Sequence, residues 1–132
     1  MRQGFAPSLD DIERLGRAAL AALPAPFRAQ CGDIAFFVAE FPEQGVLDDL
    51  QAQSEFDILG LFQGVGLAHD EAVHSTGRMP NAITLYRRPI LDYWAEHHET
   101  LDAIVAHVLI HEIGHHFGLS DADMEKLERD AG

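Results

Sequence analysis

The stretch that most limits how this chain can fold runs from Ile104 to Asp121, I-V-A-H-V-L-I-H-E-I-G-H-H-F-G-L-S-D. Leu101, Ile104, Val105, Val108, Leu109 and Ile113 recur at helical spacing, which calls for a helix with a buried stripe. Beside that stripe stands His111-Glu112-Ile113-Gly114-His115, an H-E-x-x-H. Residues four apart lie one above the other on a helix, so His111 and His115 can reach one metal ion. Glu112 projects about 100° round from His111 and does not share that bond. It is placed to hold a water on the ion, as a general base does.

Two histidines leave a zinc site unfinished. Gly118 falls where a helix stops on a left-handed residue, because a Cβ there is penalised. The chain can then turn and bring Asp121 back to the ion. Two imidazoles and a carboxylate leave the fourth position open for water, as a catalytic Zn2+ requires. Asp121 also suits the first turn of a last helix, where Ser120 and Asp123 can form a capping box, and the two roles are compatible. Glu125, one turn on, is the competing carboxylate. His116 lies off the face of the pair. His107, one turn before His111, is expected to be satisfied in the core or to back the ligands.

The pattern His111-Glu112-x-x-His115-x-x-Gly118-x-x-Asp121 resembles the metzincin-type signature, with Asp replacing its last His. More narrowly, the chain resembles the small bacterial zincin-like metallopeptidase domains, the minimal zincins. Phe56 to Leu67, Ile83 to Leu91 and His107 to Asp121 carry this likeness, which covers roughly residues 8 to 125. The resemblance implies the zincin arrangement, in which an edge strand lies along the cleft above the metal. It departs from metzincins in lacking their methionine turn. Met124 stands too close to Asp121 for that part, so any floor to the site is expected from elsewhere.

Composition excludes more than it selects. The net charge of −13, from 22 acidic and 9 basic residues, argues against nucleic acid, whose phosphates such a surface repels. A peptide or protein substrate is the expected partner. Cys31 is the single cysteine, so an internal disulfide is impossible. Nothing near Met1 reads as a signal peptide and no apolar run approaches ~18 residues, so no membrane span and a cytoplasmic location are expected. Residues 1–132 read as one domain, with no repeat or linker.

In chain order, Ser8 and Asp11 open a first helix by a capping box, and Leu9, Ile12, Leu15, Ala19 and Leu23 give its apolar spacing. It stops before Pro24. A strand is expected over Ile34 to Phe41, apolar on both faces and so covered on both sides. Val46 to Leu50 reads as a helical turn and Phe56 to Phe62 as a second strand. Gly64-Val65-Gly66 lacks the spacing and the lysine of a phosphate loop. Ala68 to Pro80 reads as an exposed loop, with His69 and His74 solvated. Asn81 to Arg87 reads as a third strand with one apolar face, followed by Arg87-Arg88-Pro89, which suits an edge. A short helix over Pro89 to Ala95, the long helix from Glu99 or Thr100, and a charged helix over Ser120 to Asp130 complete the chain.

This order indicates an α+β fold, with a small mixed sheet packed on the long helix that carries the H-E-x-x-H. The expected function is a zinc-dependent peptidase of endopeptidase type. His111, His115 and Asp121 hold the metal, and Glu112 moves the proton. Tyr86, Tyr93, His116 and Arg87 are the candidates for the group that steadies the oxyanion. The alternative is a zinc-bound binding or regulatory domain with little or no proteolytic activity. An iron centre uses the same ligand set, but Glu112 has no part to play there.

Overall fold

The computed structural model describes residues 4–64 and 81–131. The expected loop over 68–80, with His69 and His74, lies outside them, as do Val65 and Gly66. The described elements run α1 (Leu9–Ala21), α2 (Ala25–Cys31), β1 (Ile34–Ala39), α3 (Gln44–Asp49), β2 (Gly60–Gln63), β3 (Asn81–Tyr86), α4 (Arg87–Glu96), α5 (Leu101–His116) and α6 (Asp121–Ala131). This is the mixed α+β architecture expected from the sequence, with a small sheet against the motif helix. No helix among the described residues is long and apolar enough to cross a membrane.

Helix α1 starts at the predicted capping box. Ser8 Oγ accepts from Asp11 N–H and Asp11 accepts from Ser8 N–H, so these two backbone donors at the helix start are satisfied reciprocally by the two side chains. Helix α2 was not foreseen. Pro26 sits in its first turn, where the missing N–H costs nothing. Helix α5 begins at Thr100, whose hydroxyl accepts from Ala103 N–H.

The sheet has the order β1-β3-β2, with β3 parallel to β1 and antiparallel to β2. Phe36 and Phe62 both stand opposite Ile83, one on each flank of β3. Two expectations are corrected here. The strand from Asn81 is the centre of the described sheet and not an edge, and Ile83, Leu85 and Tyr86 are all buried. Arg87 and Arg88 do not guard an edge. They open α4, with Pro89 in its first turn. Arg87 donates to the Pro7 carbonyl at 2.6 Å and pairs with Glu40 at 2.9 Å. The first strand, in turn, is not covered on both sides. Phe36 is buried, but Phe37 on the opposite face is 55% exposed.

The core gathers Ile12 of α1, Phe36, Ile83 and Leu85 of the sheet, Ile90 of α4, and Ile104, Val105, Leu109 and Ile113 of α5. Helix α5 is wrapped by α1, α4, α6 and the sheet. Burial of a side chain such as Leu109 removes it wholly from water, a gain of about 1.5–3 kcal/mol each. The motif helix is therefore among the most firmly held elements of the molecule, which suits a site that has to keep its geometry.

Candidate metal centre

Helix α5 ends in a Schellman turn. Leu119 N–H reaches Gly114 O at 2.9 Å and Gly118 N–H reaches His115 O at 3.1 Å, with Gly118 at φ +73°. The predicted stop is thus in place, and the chain reverses into α6 within a few residues. Ser120 and Asp123 close the second capping box, with Asp123 N–H on Ser120 Oγ at 3.1 Å. Asp121 is the first residue of α6.

Met124 needs a revised reading. It makes no methionine turn, yet it is fully buried and packs directly against the motif helix. A Cβ on Gly114 would come within 2.5 Å of Met124 Sδ, so the glycine inside the H-E-x-x-H is what lets α6 seat there. Met124, four positions after Ser120, thus fixes how α6 docks on the motif helix.

His111 and His115 share one side of α5, with ring centroids 5.9 Å apart and planes nearly perpendicular. His111 is partly buried and His115 is exposed. Burial pushes the His111 pKa down, as does the neighbouring His107. Glu128 and Asp121 pull the other way. A neutral imidazole is the form that ligates a metal. Glu112 lies on another side of the helix, against β2. Burial raises its carboxyl above the ordinary carboxylate value, while His115 and the Phe62 backbone N–H hold it down.

Asp121 is exposed, and its charge is felt at His111. Glu125 is exposed as well. The acid of α6 that meets the histidines is Glu128, which sequence reasoning missed. Among the described residues, His107, His111 and Glu128 are the three whose ligand atoms lie within 4.8 Å of one another. His107 is not a core histidine. Its side chain is about half exposed, and its Nδ1 is 2.7 Å from Glu128 Oε1. The signal for Glu128 was present: it lies seven residues after Asp121, two helical turns on and on the same face. What the sequence could not supply was how α6 tilts against α5.

The four candidates for the oxyanion group separate. Tyr93 stacks on His97 with centroids 3.7 Å apart, and His116 packs on Phe62 at 4.4 Å. Arg87 is engaged with Glu40 and Pro7. Tyr86 is buried, which raises its pKa, and the charges of Glu43 and Glu112 raise it further. Its phenol is thus within electrostatic reach of Glu112.

A family model described as zincin-like metallopeptidase matches residues 31–131, from the end of α2 through α6. No curated protein matches the chain significantly.

Proposed function

As the chain belongs to the zincin-like metallopeptidase family, we propose that it is a zinc-dependent peptidase that hydrolyses peptide bonds, with Glu112 as the general base. The observation that carries this reading is the placement of His111, Glu112 and His115 on one firmly packed helix inside the matched region. The donor set fits zinc: two imidazoles one turn apart, with carboxylates arriving from α6. His111, His115 and Asp121 would hold the ion. Bound there, zinc would lower the pKa of a water to about 7 and polarise the scissile carbonyl.

The chain's own groups then have defined work. Glu112 accepts a proton from the attacking water and returns it to the leaving amine, so the amide bond breaks with the proton conserved. Its partly buried position against β2 supports this, because loss of water around a carboxylate moves its basicity towards the working range. Tyr86 is the group of choice to steady the oxygen on which charge develops, since it is buried on β3 and close enough to feel the charge of Glu112. Among the described residues β2 is an edge of the sheet, and it runs beside Glu112. An extended peptide pairing with that edge lies across the motif.

The test is Glu112→Gln in zinc-replete protein. Glutamine keeps the shape and loses the basicity, so zinc content stays the same while turnover of a peptide library falls by about 10²–10⁴-fold. Equal turnover by both proteins rules out Glu112 as the base. No cleavage by zinc-replete wild type across a broad library favours the zinc-bound binding domain instead.

A further inference from the structure

Glu128 holds an atom with an unmet need. Its Oε1 is buried and takes a hydrogen bond from no group among the described residues. Yet it stands 2.7 Å from His107 Nδ1 and 3.3 Å from His111 Nε2. The approach is close in distance but lacks the direction of a hydrogen bond. A buried acceptor left in that state is destabilising, more so if charged. The two rings overlap as well, with centroids 3.9 Å apart and 33° between their planes. Two protonated imidazoles resist such an overlap. Two neutral ones sharing a cation do not.

The spacing suits a small cation. With metal–ligand bonds of about 2.0–2.1 Å, the ligand atoms of a tetrahedral site stand about 3.3 Å apart. The His111–Glu128 separation already has that value at 3.3 Å. The His107–Glu128 pair has to open by roughly 0.6 Å to match it. His107 is half exposed and can make that adjustment. A groove of about 470 Å³ between α1, α5 and α6, lined by Leu15, Ala19, Ala106, His107 and Glu128, opens beside the cluster.

We propose that His107 Nδ1, His111 Nε2 and Glu128 Oε1 form a second seat for a divalent transition-metal ion on the seam of α5 and α6, sharing His111 with the motif site. Two imidazoles and one carboxylate select zinc, cobalt or nickel over magnesium or calcium, which take oxygen ligands. A ring nitrogen has one lone pair, so His111 Nε2 serves one ion at a time. An ion in the seam leaves His115 and Asp121 without it, and Glu112 without a water to work on. The seam is thereby a restraint on the activity proposed above, and only this sharing rests on that reading.

The experiment is titration with Co2+ alone, read by calorimetry and by the visible absorption of the bound ion. His115→Ala/Asp121→Ala disables the motif pair, and both residues are exposed, so the fold stands. This variant is expected to bind one Co2+ per chain with a tetrahedral-type spectrum. Adding Glu128→Gln, which keeps the side-chain shape, should weaken that binding at least about 10-fold, and His107→Ala should do the same. Wild type should take one ion per chain. If the double variant binds no Co2+, or binds it equally well with Glu128→Gln, the seam is not a metal seat. Two ions per wild-type chain would overturn the sharing of His111. Peptide turnover by wild type is read separately and changes none of these outcomes, so the peptidase reading can fail on its own.

Discussion

Leu109 and His111 stand two residues apart on α5, yet Leu109 is fully buried while His111 keeps 25% of its side chain in solvent. The first belongs to a face set by apolar spacing, with Ile104, Val105, Val108 and Ile113. The second belongs to a face set by which polar groups arrive from elsewhere. On the buried face, any residue of the right volume holds the helix, and the partners are interchangeable apolar surfaces. On the open face, one atom out of place changes the chemistry. The comparison teaches that α5 is held by residues that stand apart from the histidines, so the apolar face and the face proposed for chemistry can be tested separately.

The largest effect that bears on this division is expected from Leu109→Ala. Emptying that fully buried position should cost roughly 2–5 kcal/mol in denaturant unfolding. Zinc bound per folded molecule should stay as in wild type. A loss of metal from the folded variant would mean that the two faces are not separable.

Gly114→Ala joins the two faces and should have an intermediate effect. The new Cβ meets Met124 at 2.5 Å, an overpacking that costs about 1–3 kcal/mol. The better helix propensity of alanine offsets about 1 kcal/mol of it. A net loss of about 1 kcal/mol is expected. Metal affinity should fall with it, because α6 carries both Asp121 and Glu128. A stabilised protein with unchanged affinity would show that α6 shifts freely.

The smallest effect is expected on the far side of the core, in α1, which packs along α5. Asp11 is held below the ordinary carboxylate value, first by the Ser8 N–H, against a smaller opposing effect of burial, and further by the Ser8 hydroxyl and Arg14. A carboxyl whose folded pKa is depressed adds stability above its unfolded pKa. That contribution fades as the pH falls below this value and through the folded one. Asp11→Asn should therefore be slightly less stable than wild type at neutral pH. The gap should close as acid is added below the normal Asp range, with metal binding untouched at neutral pH. A gap that persists in acid would place the effect in packing and not in the charge.

The sequence by itself determined what is local. The motif helix, its buried stripe, its stop at Gly118 and the capping boxes at Ser8 and Ser120 all rest on contacts within a few residues, and each stands as read. The family likeness was legible for the same reason, since His111, Glu112, His115, Gly118 and Asp121 lie within one short stretch. Tertiary structure alone decided the rest. Ile83 and Leu85 alternate on β3 in the same way at an edge or at a centre, because strand order is fixed by backbone groups that carry no residue signature. Phe37 is as apolar as Phe36, and only the side from which α1 packs leaves it exposed. Glu125 and Glu128 are a turn apart on α6, and the docking of that helix through Met124 on Gly114 turned Glu128, not Glu125, towards the histidines. A sequence fixes the direction of a side chain on its own helix, but the angle between two helices comes from the packing of the surfaces between them.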